Sequence, residues 1–246
     1  MRIVALGDTH GRVNWKEIVA KEAAADKIVF IGDYFDTHHA GVSGNKQLVN
    51  FKEILAFKRE HPEQVVMLFG NHDFHYLRGM SAKGEIYSGY QGGYAHDFGE
   101  AIDDALSDDS VQMCWVYDKY VFSHAGITKT WINGVLWDDL SSPQSLRGDA
   151  LQTAVNDLFK FKPLSFGFMM GDNYSQTGND KTQGPIWVRP ESLIPDMLEG
   201  IRCVVGHTTV TQLGLKEELP NIILIDCLGT SGEYLIIEDG VPKSSK

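Results

Sequence analysis

The chain has 246 residues, 43% of them hydrophobic, and a net charge of −11 at neutral pH. That suffices for one large domain with a substantial core and excludes a broad basic face for long nucleic acid. No apolar run approaches the ~20 residues of a membrane-spanning helix, and the first residues read as a strand rather than a secretory signal. Cys114, Cys203 and Cys227 are odd in number, far apart and set in apolar runs. They read as reduced core thiols of a cytoplasmic protein.

Residues 1–6 are a buried strand ending in Gly-Asp-Thr-His-Gly at 7–11. Asn14 and Glu17 read as a capping box that opens a helix through about residue 25. Residues 27–31 are a second strand, ending in Gly-Asp-Tyr-Phe-Asp at 32–36. Leu48, Phe51, Ile54, Leu55 and Phe57 recur at helical spacing in a segment closed by Pro62. Residues 65–69 are a third strand, ending in Gly-Asn-His-Asp at 70–73. Strand, helix, strand, helix, strand is the doubly wound pattern, in which ligands sit beyond the carboxyl ends of parallel strands.

Residues 78–95 are rich in Gly, Ser and Tyr and read as an inserted loop. An acidic helix follows to about 106, then an antiparallel pair over 111–117 and 119–123 turning near Asp118. That pair ends in Ser-His-Ala-Gly at 123–126. Residues 130–158 are helical in pieces broken at Pro143, and a short helix follows Pro190. Residues 201–205 are a strand ending in Gly-His-Thr-Thr at 206–209. The last strands cover 221–227 and 233–238, and the tail at 243–246 reads as frayed. No repeat or linker divides residues 1–242.

Asp8, His10, Asp33, Asn71, His124 and His207 each follow an apolar strand within a glycine-flanked turn. Singly, each reads as a loop capper or a satisfied histidine. Together they place oxygen and nitrogen donors at equivalent strand ends, which suits cations.

These five motifs, in this order from Gly7 to His207, resemble the calcineurin-like metallophosphoesterase family. The resemblance implies an α/β, four-layer α/β/β/α sandwich: two mixed sheets flanked by helices. It also implies two divalent metal ions, with Mn first and Fe, Zn, Co or Ni as alternatives. Asp8 and His10 would hold the first metal, Asp33 would bridge both, and Asn71, His124 and His207 would hold the second. His72, oriented by Asp36, would protonate the leaving group, while Asn71 and Arg189 would contact substrate. A bridging hydroxide would attack phosphorus. Two dications against Asp8, Asp33 and hydroxide leave about one positive charge for phosphate, which an aspartate at 71 would cancel.

The resemblance leans toward the protein-phosphatase-like and bacterial dinucleoside-polyphosphatase branch. Trp187 and Arg189 resemble that branch's substrate arginine, although Arg189 also reads as a surface residue ahead of Pro190. Thr37-His38 stands where the protein phosphatases have Arg-Gly, so one phosphate-binding arginine is absent; His38 and His39 read first as a solvated loop and second as its substitute. Thr209 stands where diesterases of the family have a further histidine. Asp73 reads as structural support, and Asp226 as a turn residue or as the partner of a ligating histidine. His61, His75 and His96 read as non-catalytic.

The expected function is hydrolysis of a phosphomonoester, a phosphoprotein or a nucleoside polyphosphate. A phosphodiesterase or nuclease, and a metal-binding scaffold without activity, are the alternatives. The expected partner is the substrate alone, with neither long nucleic acid nor a membrane; the sequence leaves the oligomeric state open.

Overall fold

The computed structural model describes residues 1–37, 41–136, 140–168, 175–215, 219 and 221–246. His38 and His39, read as a solvated loop or as a substitute for the arginine, lie outside the described residues.

Among the described residues, ten strands form two sheets. In chain order, β1 (Arg2–Leu6), α1 (Trp15–Lys21), β2 (Lys27–Phe30), α2 (Gly44–Glu60), β3 (Val65–Leu68), α3 (Asn71–Phe74) and α4 (Ala95–Ser107) make the first half. Then come β4 (Val111–Gln112), β5 (Trp115–Tyr117), β6 (Tyr120–Phe122), α5 (Lys129–Leu136), α6 (Gly148–Phe161) and α7 (Pro190–Leu193). Finally, β7 (Arg202–Val205), β8 (Ile222–Leu224), β9 (Leu235–Glu238) and β10 (Val241–Ser244) complete the chain.

The six-stranded sheet runs β10-β9-β1-β2-β3-β4, and the four-stranded sheet runs β5-β6-β7-β8. β1 to β4 are parallel, as are β6 to β8, while β9, β10 and β5 join antiparallel. Both sheets are therefore mixed.

Side-chain alternation explains the layers. Ile3 and Ala5 of β1, with Val29 of β2 and Val66 and Leu68 of β3, meet Tyr120, Phe122, Val204 and Ile223 of the other sheet. The intervening residues, Val4, Leu6, Ile28, Phe30, Val65 and Met67, face outward and pack with helix residues such as Ile18, Phe51, Ile54 and Ile102. Each fully buried side chain of this size contributes about 1.5–3 kcal/mol. Doubled burial is why these strands read as unbroken apolar runs rather than as alternating ones.

Local expectations fail at several boundaries. Asn14 makes no cap; its amide donates instead to Leu228 O, 3.2 Å away, and the helix ends at Lys21. The stretch 111–117 is not one strand. β4 extends the large sheet beside β3, whereas β5 opens the small one. The crossing is held by Asn156 Oδ1, which accepts Met113 N–H at 2.9 Å and Cys114 N–H at 3.0 Å. The tail is not frayed at its start, because Lys243 and Ser244 pair with Ile236 and Leu235. All three cysteines are free and buried.

Candidate metal and phosphate site

The carboxyl ends of β1, β2, β3, β6 and β7 point toward one cleft of about 600 Å³. Asp8, His10, Asp33, Asn71, His72, Arg189 and His207 line it, with Thr209 and Asp226. His124, fully buried, lies behind Asn71 and Asp33.

The turns that carry these groups are tight. His10 (φ 45°), Asp33 (55°), Asp36 (59°) and His207 (59°) all hold left-handed backbone, which disfavours residues with a Cβ. Two glycines make room for the carboxylates. A Cβ on Gly206 would lie 2.1 Å from Asp8 Oδ1, and one on Gly70 would lie 2.1 Å from Asp33 Oδ1. The loops are also tied to one another. His10 N–H donates to Asp33 O at 2.8 Å, and His207 N–H to Asp8 Oδ2 at 3.1 Å.

The three histidines share a pattern. His10 Nδ1 donates to Phe35 O (2.6 Å), His124 Nδ1 to Ile31 O (3.0 Å) and His207 Nε2 to Trp187 O (2.8 Å). A backbone carbonyl can only accept, so it sets the proton on the nitrogen that faces it. The other nitrogen of each ring turns toward oxygen. His10 Nε2 lies 3.7 Å from Asp33 Oδ2 and 4.0 Å from Asp8 Oδ2. His124 Nε2 lies 3.0 Å from Asn71 Oδ1 and 3.3 Å from Asp33 Oδ2. His207 Nδ1 lies 2.8 Å from Asn71 Oδ1.

Neutral His207 thus presents a lone pair to an amide oxygen, two acceptors face to face in a buried place. A cation between them would satisfy both. The donors divide into Asp8, His10 and Asp33, and Asp33, His124 and His207, each set within 4.8 Å and sharing Asp33. Asn71 Oδ1 completes the second set. Mixed imidazole, carboxylate and amide donors fit divalent transition metals, so the residues present suit the group the motifs imply.

Electrostatics agree. Burial and then the charge of Asp226 push Asp8 well above the usual carboxylate range. Burial would pull His124 down, but Asp33 and Asp8 outweigh it and hold it up at about 9. Burial takes His207 well below its ordinary value, and lowers His10. Without a cation, then, His124 carries the proton that balances Asp33.

Asp73 supports the cluster from below. It accepts N–H groups from Asp33 (2.9 Å), Gly70 (2.9 Å) and Tyr34 (2.8 Å). Burial and the nearby Asp33 push it up to about 7.

His72 sits beside this cluster. Its N–H donates to Asp33 Oδ1 (2.9 Å), and its Nδ1 lies 3.1 Å from Asp36 Oδ2. Burial opposes protonation of His72, yet Asp33 and Asp36 raise it above the ordinary value.

Sequence reasoning missed what holds Asp36. Tyr76 Oη donates to Asp36 Oδ1 (2.6 Å), as does Gln91 Nε2 (3.0 Å), and His75 Nε2 lies 2.6 Å from Asp36 Oδ2. His75, set aside as non-catalytic, therefore contacts the residue that orients His72. The spacing of His72, His75 and Tyr76, three and four residues apart, was the available signal.

Arg189 is half-buried, and burial lowers it. Its Nη1 donates to His207 O (2.7 Å) and Thr208 Oγ1 (3.2 Å), placing the guanidinium at the cleft wall. Asp226 does not orient a ligating histidine; it accepts the Thr209 hydroxyl at 2.6 Å.

The sequence matches the family model for calcineurin-like phosphoesterase over residues 1–194, and the chain belongs to that family. Its two mixed sheets flanked by helices are the metallophosphoesterase fold. Members depend on divalent metals and hydrolyse phosphoesters. The chain resembles a cold-active protein-tyrosine phosphatase of a psychrophilic Shewanella species, with 20% identity and a TM-score of 0.61 over 100% of this chain and 80% of that one. It also resembles a protein serine/threonine phosphatase of Saccharomyces cerevisiae, with 12% identity and a TM-score of 0.53 over 99% and 79% of the two chains. At these identities the likeness is one of fold. No curated protein sequence matches the chain.

No helix among the described residues is long and apolar enough to cross a membrane.

Proposed function

We propose that this protein is a two-metal phosphomonoesterase of the protein-phosphatase-like branch. The observation that carries the reading is the orientation of His10, His124 and His207. Each spends one nitrogen on a backbone carbonyl and turns the other toward Asp8, Asp33 or Asn71. Asp8, His10 and Asp33 would hold one cation, and Asp33, Asn71, His124 and His207 the other. Manganese is the proposed metal; iron, zinc, cobalt and nickel share the donor preference. Two divalent cations, when bound, lower the pKa of water and draw charge from phosphoryl oxygens.

The chain's own residues do the rest. Arg189, braced on His207 O, offers its remaining N–H groups to phosphate oxygens. His72, held protonated by Asp33 and Asp36, gives its proton to the departing oxygen. Asp36 fixes the imidazole and stays ionised; burial works against this, but His72 and His75 lower it.

The test loads the protein with manganese and compares p-nitrophenyl phosphate, its bis-ester, a phosphopeptide and diadenosine tetraphosphate, with His72→Asn alongside. Monoester turnover that falls in the variant, more for an alkyl than for an aryl ester, supports the proposal. Turnover confined to the bis-ester makes the protein a diesterase. Equal inertness of both proteins toward every ester leaves a metal-binding scaffold.

A further inference from the structure

Tyr87, Phe168 and Trp187 form one wall of the cleft that holds the candidate metal ligands. Tyr87 meets Trp187 edge to face with centroids 4.3 Å apart, Phe168 meets Trp187 at 4.8 Å, and Tyr87 meets Phe168 at 5.3 Å. The wall starts at the ligand cluster, because the Trp187 ring lies 6.2 Å from that of His207 and the Trp187 carbonyl takes the His207 proton. It also adjoins the acid. A Cβ on Gly89, two residues after Tyr87, would lie 3.4 Å from His72 Cε1 and 3.0 Å from Asp36 Cβ. Tyr87 stacks on His75 at 5.8 Å, the same His75 that contacts Asp36.

The rings are built in. Trp187 Nε1 donates to Phe166 O (3.1 Å), and Phe168 N–H is shared between Glu85 Oε2 (2.9 Å) and Tyr87 Oη (3.2 Å). Trp187 is buried, while Tyr87 and Phe168 are half-buried, and all three line the cleft.

We infer that this wall is a leaving-group subsite for aryl phosphomonoesters, in which an aromatic ring is bonded directly to the ester oxygen. The inference rests on the proposed phosphomonoesterase reading. With phosphorus at the ligand cluster, the departing oxygen must lie within reach of His72. The first atoms beyond that oxygen then pass Ser88 and Gly89 and meet Tyr87, Phe168 and Trp187. A ring placed there packs edge or face against three others. A serine or threonine phosphate would instead bring peptide N–H and C=O groups against the ring faces, which pair them less well than they pack another ring. Hydrolysis breaks the ester P–O bond: water supplies the oxygen that joins phosphorus, and the aryl oxygen leaves as a phenol carrying the His72 proton.

The experiment compares kcat/KM for phenyl phosphate and a phosphotyrosine peptide with that for a phosphoserine peptide of the same sequence. It uses the manganese-loaded protein, Phe168→Ala and Tyr87→Leu. Intrinsic reactivity of aryl esters cancels, because the readout is how the aryl-to-alkyl ratio changes between proteins. That ratio is expected to fall about tenfold in each variant. Loss with either aryl substrate supports the subsite, and its direction tells a small aryl ester from a protein side chain. A ratio that neither variant moves overturns it.

Calorimetry with phenylphosphonate and methylphosphonate, which cannot be hydrolysed, separates this failure from that of the parent reading. The phenyl compound is expected to bind about tenfold more tightly, with the advantage lost in Phe168→Ala. Equal affinities overturn the subsite even if esters are turned over. A phenyl advantage in a protein that hydrolyses nothing keeps the subsite and rejects the enzyme.

Discussion

Asp8, His10, Asp33 and His207 are positioned by backbone, whereas the carboxylate of Asp36, and through it His72, is positioned by other side chains. In the ligand cluster, left-handed turns and carbonyl partners leave each ring and carboxylate one direction to face. In the acid arm, Asp36 shares the left-handed backbone, but its two oxygens are held by His72, His75, Tyr76 and Gln91. Cations need several donors fixed before they arrive. A proton donor needs one ring kept oriented and charged while bonds change.

The largest test removes the residue common to both candidate metal sites. Asp33→Asn is expected to abolish binding of both metals and to lower turnover by on the order of 10³-fold or more. Elemental analysis beside kcat/KM checks it. Retention of one metal would mean that the two donor sets are separable and that Asp33 does not bridge them.

His72→Asn is expected to keep both metals and lose about 10²-fold or more in kcat on an alkyl ester, with KM little changed. The loss should be smaller for an aryl ester, whose departing oxygen needs less protonation. The pH dependence has a definite sign. Asp33 and Asp36 outweigh burial and raise His72, so its acid form persists above the ordinary value. The kcat of the unaltered protein should fall as pH rises through that raised pKa. The variant should lack this alkaline fall.

A third outcome concerns the cluster alone. In the metal-free protein Asp33 and Asp8 overcome burial and hold His124 at about 9, so a cation must displace its proton at neutral pH. Metal affinity should therefore rise with pH, by up to about tenfold per unit below 9. Titration calorimetry in buffers of different ionisation enthalpy should count at least one proton released. Binding without proton release would mean that His124 is already neutral and that Asp33 is balanced otherwise.

The same contrast decides what could be read from sequence. Strand ends carrying Asp, His or Asn next to glycine are visible because backbone geometry forces that local pattern. Gly70 and Gly206 are glycine since a Cβ there would displace a carboxylate. The outer layers were legible too, as 3.6-residue spacing in α2 and unbroken apolar runs in β1 to β3. The acid arm was only half legible. Asp36 and His72 lie in motifs, but Tyr76, Gln91 and His75 act through distances that no short pattern encodes. The aromatic wall assembles Tyr87, Phe168 and Trp187 from segments up to 100 residues apart, and only the folded chain brings them together. The split of 111–117 between sheets was hidden for a similar reason. Its hinge is held by Asn156 on α6, 42 residues after Cys114.

The smallest expected effect sharpens the comparison most. Tyr76→Phe removes one hydroxyl that donates to Asp36 Oδ1 and accepts Gln91 N–H at 2.7 Å. Asp36 keeps Gln91 Nε2 at 3.0 Å, so its ionised form is weakened rather than lost. Gln91 N–H loses its acceptor, at a cost of about 1–3 kcal/mol in stability. If the two halves are held separately, metal content and affinity should not change. The kcat on an alkyl ester should drop about 3- to 10-fold as His72 loses orientation, and its alkaline fall should move to lower pH. A Tyr76→Phe protein that sheds metal would show strain passing from Asp36 to Asp33 through the two residues between them, making ligand cluster and acid arm a single unit.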